Sequence, residues 1–314
     1  MIDAQIGAVV AVAVVALVVG TAVGQAVARQ ARTSAERLAA RDLMARIGAW
    51  WWMIPLMVCC LALGWPGVVG FFGAVSFLAL RELISLVPSR RADHGTLVLA
   101  FFVAVPVQYG LIWGQWVELF MVFVPVWALL TVSVGLALRG DPTHFLQRVA
   151  AIQYVLLVGV YCISHAPALL MLSVPGYEGQ EHKLLVFLVV VTQSSDVLQF
   201  LWGKALGRRL LLPSVSPTKT VEGLVGGLGS ATVVGTALTP LLPWSLAQTA
   251  LLALGIATAG ALGGLVMSAI KRDAGVKDFG SLIEGHGGVL DRVDSLVFAA
   301  PALFHLVRWL HATP

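Results

Sequence analysis

Charge is what this chain lacks. Only 11% of its 314 residues are Asp, Glu, Lys or Arg, whereas 59% are hydrophobic. A soluble domain carries about 25% charge, so the shortage excludes an ordinary water-soluble globule. Cysteine is scarce too. Cys59 and Cys60 are adjacent in one apolar run and Cys162 lies in another. They make no disulfide framework and read as buried thiols. The GxxxxGK[ST] phosphate loop is missing from the sequence. The formal net charge of +4 is no sign of a nucleic-acid partner, because in so apolar a chain the placement of the cations carries the information.

Long apolar runs are what it has. Spanning a bilayer takes about 17–25 residues, and such segments lie near 6–28, 47–63, 67–80, 96–114, 117–138, 149–174, 184–203, 221–241, 246–267 and 289–310. They predict an all-α polytopic integral membrane protein with about ten transmembrane helices (8–10). The second and third are short and joined by Gly64-Trp65-Pro66-Gly67, so a re-entrant pair is the alternative there. Although Ala26-Val27-Ala28 resembles a cleavage site, the first run is too long for a leader and its cations follow it. A retained helix with its N-terminus outside is expected. With that orientation all of the Lys and Arg except Lys183 and Arg308 fall on the inside, as the positive-inside rule requires. The chain divides into N-terminal membrane helices with basic loops (1–190) and a C-terminal membrane region rich in polar chemistry (191–314).

Three polar constellations stand out in that second region. The first is 268–294, where four cations, five carboxylates and a histidine sit between two apolar runs. Gly285, Gly287 and Gly288 flank His286, and glycines let backbone N–H groups approach an anion. Asp291 and Asp294 share one face at the start of the last helix, where carboxylates are held ionised and ready for Mg²⁺. The second is Ser214 to Gly227, with Lys219 among Ser216, Thr218 and Thr220 just before Glu222 and a Gly-rich helix. Lys219 can neutralise a phosphate there; equally, the segment is a helix start capped by Ser216 or Thr218. The third is a polar stripe of Thr192, Asp196, Gln199 and Gly203 at helical spacing, in which Asp196 is an intramembrane carboxylate and a functional candidate by default.

Weaker signals remain. Glu82 beside Arg81 at an inner helix end reads as a local ion pair. His165 before Pro167 reads as a packed, hydrogen-bonded histidine. Gly20/Gly24 and Gly260/Gly264 permit close helix packing. Trp50, Trp51 and Trp52 read as an interfacial belt, and Arg29 to Arg46 as a basic surface helix or a linker helix.

The pattern Ser268-x-x-Lys271-Arg272-x4-Lys277-Asp278-x-Gly280-x5-His286-Gly287-Gly288-x2-Asp291-Arg292-x-Asp294 resembles the signature of phosphatidate cytidylyltransferases, also called CDP-diacylglycerol synthases. Ser216-Pro-x-Lys219-Thr220-x-Glu222-Gly223 matches a second element of that family. The resemblance is specific over about 196–298. Two departures mark the chain: Glu284 replaces the usual proline, and Val197 to Lys204 replaces a run of small residues. The resemblance implies transfer of a cytidylyl group from CTP to phosphatidic acid, giving CDP-diacylglycerol and pyrophosphate for phospholipid synthesis. It implies Mg²⁺ or Mn²⁺ held by Asp278, Asp291, Asp294 and Asp196, with a second monovalent or divalent cation as an option. Lys219, Lys271, Arg272, Lys277, Asp278, His286 and Arg292 are then the catalytic set, and Ser216, Thr220, Glu222, Gly285, Gly287 and Gly288 line the substrates. A homodimer in the cytoplasmic membrane of a bacterium, with its active site facing the cytoplasm, is also implied. A CTP-dependent lipid or polyprenol kinase, or a cytidylyltransferase for another lipid phosphate, is the alternative. A transporter coupled through Asp196 and Asp294 fits less well, because no half-to-half repeat is evident.

Overall fold

The computed structural model describes residues 2–30, 32–87, 94–280 and 287–311. Ten helical rods follow one another: α1 (Ala4–Gln30), α2 (Ser34–Ala62), α3 (Gly64–Leu86), α4 (Gly95–Trp113), α5 (Val117–Ala137), α6 (Phe145–Met171), α7 (His182–Leu206), α8 (Val221–Ala237), α9 (Leu246–Asp273) and α10 (Leu290–His311). The chain is an all-α polytopic membrane protein. Among the described residues, eight of the rods are long and apolar enough to cross a bilayer, at the lower end of the eight to ten expected. The reason is length. The apolar part of α2, Ile47–Ala62, and the 17 residues of α8 rise about 1.5 Å per residue, short of a hydrocarbon core of about 30 Å.

Local chemistry explains where the rods begin and bend. The basic stretch after Arg29 is not a separate helix from 47–62. Thr33 accepts from Glu36 N while Glu36 accepts in return, a capping box that starts α2, and the helix then runs on past Arg46. Gly64, at φ +72°, makes the sharp corner between α2 and α3. α4, α5 and α6 each contain a π-helical stretch, at Ala100–Ala104, Phe123–Ala128 and Leu157–Cys162. Pro106 and Pro125 lie beside or within the first two; a proline lacks the N–H of the regular ladder, and a π-turn re-routes it.

The core is continuous from Ile6 to Val307. Its centre is α6, where Ile163, Ala166, Ala168 and Leu169 are fully buried. His165 is buried there as well, with Nδ1 against the Tyr161 carbonyl at 2.7 Å. Polar side chains in this region hydrogen-bond across rods. Ser76 and Tyr109 join α3 to α4, Gln108 donates to Ser164, and Gln153 donates to the Val124 carbonyl. Of the three cysteines, all free, Cys60 is buried but Cys59 is exposed and Cys162 intermediate; successive positions on a helix are turned by about 100°, so Cys59 and Cys60 lie on different sides of α2.

The four last rods pack tightest, and glycine is the cause. On α8, a Cβ at Gly227 would come within 2.7 Å of Gln199 N on α7, and one at Gly223 within 2.8 Å of the Gln199 carbonyl. On α9, Gly260 faces Thr192 and Ser295, and Gly263 faces Phe298. Small residues let backbones approach where lipid supplies no hydrophobic force between helices. Between α7 and α8 the chain forms an antiparallel two-stranded ribbon, β1 (Leu210–Leu212) and β2 (Ser216–Thr220), pairing Leu210 with Thr220 and Leu212 with Ser216. This ribbon, the C-terminal ends of α3, α7 and α9, and the N-terminal ends of α8 and α10 share one end of the bundle. At the other end Lys183 meets Asp3 at 2.9 Å.

Candidate active site

The polar end is built around Asp291, in the first turn of α10. Its Oδ1 meets Lys271 Nζ at 2.9 Å, and the two side chains are only 5% and 12% exposed. Its Oδ2 accepts from Phe279 N at 2.8 Å and Gly288 N at 2.9 Å. The Lys271 ammonium also lies 5.1 Å from the centre of the buried Phe279 ring, an added cation–π attraction. Lys271, Phe279, Gly288 and Asp291 thus form a clasp that closes the segment between α9 and α10 at its base. Charge-assisted bonds of this kind are stronger than neutral ones.

Upstream of the clasp α9 ends at Gly275, φ +69°, with the Arg272 guanidinium bonded to the Val276 carbonyl. Lys277 and Asp278 follow, both exposed. Gly287, at φ +80°, has no room for a side chain: its Cβ would lie 2.7 Å from Asp291 Oδ2 and 3.0 Å from Asp278 Cβ. Gly285 and His286, with the Glu284 departure, fall outside the described residues.

Glu82, on α3, supplies the part that sequence reasoning missed. Its Oε1 accepts from Val289 N at 2.8 Å and its Oε2 from Leu290 N at 2.9 Å. It is therefore no mere local partner for Arg81, but the acceptor for orphan N–H groups at the start of α10. Gly280 and Gly288 both make room for it, since a Cβ on either would crowd the carboxylate. The glycines of the signature do let backbone N–H groups reach anions. Within the described residues, the anions they reach are two of the chain's own carboxylates.

Lys219, in β2, points across the bundle, its Nζ lying 3.0 Å from where a Cβ on Gly264 would be. Asp196 on α7 and Asp294 on α10, both half-buried, lie within electrostatic range of each other and of Lys219. Asp294 also feels Lys271 and Asp291, and its Oδ1 accepts from Ser295 N at 2.8 Å. Two motifs more than 50 residues apart in sequence therefore meet, bringing Lys219 within electrostatic range of both carboxylates and Lys271 within range of Asp294. Arg292, half-buried, follows Asp291 in the first turn of α10.

The remaining residues of the second motif shape its backbone. Thr220, rather than Ser216 or Thr218, caps α8 by accepting from Gly223 N at 3.1 Å, because β2 keeps Ser216 to Thr220 extended and delays the helix. Glu222 accepts from Arg208 N and Arg209 N at 3.0 and 3.2 Å, tying the ribbon to α8. These backbone bonds hold the Glu222 carboxyl below the usual glutamate range. Ser216 is buried in β2.

The site can hold a polyanion. Two lysines face inward, exposed cations lie on the adjoining segment, and two carboxylates stand ready to share a cation. Among the described residues no three Asp, Glu, His or Cys side chains form a closed metal cage. A carboxylate pair nevertheless suits Mg²⁺, which is commonly held by one or two carboxylates, substrate phosphates and water. Asp291 has both oxygens engaged in the clasp, so Asp196 and Asp294 are the better-placed ligands.

Comparison with known proteins agrees with this chemistry. Residues 44–310 match the cytidylyltransferase family. The chain is 41% identical over 273 residues to the uncharacterized protein YnbB of Escherichia coli strain K12, covering 85% of this chain and 88% of that one. It is 43% identical over 125 residues to a phosphatidate cytidylyltransferase of Bacillus subtilis, covering 39% of this chain and 46% of that one. A Synechocystis phosphatidate cytidylyltransferase is 47% identical over 116 residues, covering 36% and 39%. The match thus spans less than half the length of these two relatives.

Proposed function

The chain belongs to the cytidylyltransferase family, and from that premise we propose that it transfers a cytidylyl group from CTP to phosphatidic acid. The observation that carries the reading is the meeting of Lys219 and Lys271 with Asp196 and Asp294 at one end of a chain otherwise almost without charge. The names of the Bacillus and Synechocystis relatives support phosphatidic acid as the acceptor.

The reaction asks for charge management more than for acid–base catalysis. An oxygen of the lipid phosphate attacks the α-phosphorus of CTP. The bond from that phosphorus to the oxygen bridging to the β-phosphate breaks, and pyrophosphate leaves with the electron pair. A phosphate monoester has its second pKa near about 6, so the nucleophile is already anionic and needs no strong base. The obstacle is bringing two polyanions together, which fixed cations in a partly dry site relieve. Lys219 and Lys271 neutralise phosphate oxygens from inside the bundle. Arg272 and Lys277, exposed on the adjoining segment, draw the nucleotide in. Asp196 and Asp294, with Asp278 on the exposed segment beside Gly287, would hold the divalent cation, which supplies positive charge to the triphosphate. The lipid enters laterally, its head group at the polar end. That end faces the cytoplasm, where CTP is available, and the membrane is the cytoplasmic one.

The test is turnover of the purified protein in lipid–detergent micelles with α-³²P-CTP, phosphatidic acid and Mg²⁺. Label should enter the lipid with stoichiometric pyrophosphate, and EDTA should stop it. Release of CDP with unlabelled lipid product would replace this reading with a lipid kinase. No transfer to any lipid phosphate, together with no CDP released when a lipid alcohol is offered as acceptor, would sink both.

A further inference from the structure

We propose that Glu82 is a positioning residue for group transfer, setting the start of α10 and, through it, the clasp. The inference rests on the cytidylyltransferase reading for its activity readout but on geometry for its substance. Glu82 belongs to α3, in the half of the chain that contributes no signature residue. Yet both of its oxygens are spent on the signature segment, accepting from Val289 N at 2.8 Å and Leu290 N at 2.9 Å. A negative charge at that helix end also satisfies the α10 macrodipole.

The fit is specific on both sides. A Cβ on Gly280 would lie 2.9 Å from Glu82 Oε1, and one on Gly288 would collide with Oε2. Two glycines, one on each flank of the segment, are thus shaped to one carboxylate. The next residue along α10 is Asp291, and one turn further is Asp294. Where Glu82 places Leu290, Asp291 follows, and Lys271 follows Asp291 through their 2.9 Å ion pair. A displacement at Glu82 therefore reaches a phosphate-neutralising lysine without any contact between Glu82 and substrate. A glutamine could not replace it: its one carbonyl oxygen would serve one N–H, and its amide N–H₂ would face the other.

The experiment uses the full chain in lipid nanodiscs, comparing wild type with Glu82→Gln and Glu82→Ala. Losing charged hydrogen bonds should lower kcat about tenfold or more and raise KM for CTP, leaving KM for phosphatidic acid unchanged. Amide hydrogen exchange at Val289 and Leu290 should accelerate. Gly280→Ala should impair the wild type but add nothing to Glu82→Ala, the non-additivity expected of two residues in contact. A fall in kcat with both KM values unchanged is what loss of folded protein would give, and it would overturn the proposal. So would unchanged exchange at 289–290, or additive effects of the Gly280 and Glu82 changes. Should the wild type transfer no cytidylyl group, the functional reading fails, and exchange still decides whether Glu82 sets the segment.

Discussion

The two halves of this bundle solve the same packing problem differently. α7 to α10 touch through glycine, so that Gly223 and Gly227 lie against the backbone of Gln199 and Gly263 against Phe298. α3 to α6 instead interlock large side chains such as Phe72, Leu80, Phe120 and Ile163, and their ladders are loosened by three π-helical stretches. In lipid, helices gain nothing from hiding apolar surface from one another, so dispersion at short range and a few polar bonds hold them. Backbone-to-backbone contact leaves little freedom to slide. It therefore belongs where lysines and carboxylates must keep their places. The looser half acts as a buttress and delivers one carboxylate, Glu82. α1 is the extreme case, burying only Ile6, Leu17 and Gly24.

The largest expected effect tests the rigid half directly. Asp291→Ala leaves the Lys271 ammonium and the N–H groups of Phe279 and Gly288 without their acceptor. Breaking such a buried pair costs about 3–5 kcal/mol, so turnover should be abolished and the thermal midpoint should fall. Near-normal values of both would mean that the clasp is not what holds this end.

A smaller effect sharpens the role of glycine. Gly227→Ala forces a methyl into Gln199 and should destabilise by about 1–3 kcal/mol. Gly229→Ala, two residues away on α8 where nothing lies within 4 Å, should instead gain up to about 1 kcal/mol from helix propensity. Thermal unfolding in detergent compares the two; equal effects would remove the distinction drawn between the halves.

The smallest effect lies where the halves are latched at the opposite end. Asp3 pairs with Lys183 and accepts from Ile6 N. The Lys183 bond first, and then the Ile6 N–H, hold its carboxyl below the ordinary value of 3.8. A depressed folded value means that the stabilisation is present above pH 3.8 and fades as pH falls through the lowered value. Asp3→Asn should therefore lower the thermal midpoint slightly at pH 7, and by progressively less as the pH falls below 3.8. An effect independent of pH would show that the latch is not ionic.

Much of this was legible in the sequence, and for stated reasons. Hydropathy located the rods because a spanning helix must satisfy its backbone internally. The 268–294 cluster marked Lys271, Asp291 and Asp294 because charge beside apolar runs needs a partner. Glu82 was not legible, because its partners are backbone N–H groups of Val289 and Leu290, whose side chains advertise nothing. The available hint was a carboxylate at the end of an apolar run, with glycines at 280 and 288 on either side of the signature's polar segment. The cap of α8 at Thr220 was missed because a short ribbon, not helix propensity, decides where that helix begins.

The bond between Glu82 and the start of α10 also has a consequence in time. The 207 positions from Glu82 to Val289 take on the order of 10–40 s to synthesise at about 5–20 residues per second. Throughout that interval the carboxylate stands at the end of an inserted helix, waiting for a partner still on the ribosome. The clasp therefore closes only once α10 is in place, and a chain cut short before α10 would lack Asp291 and Asp294.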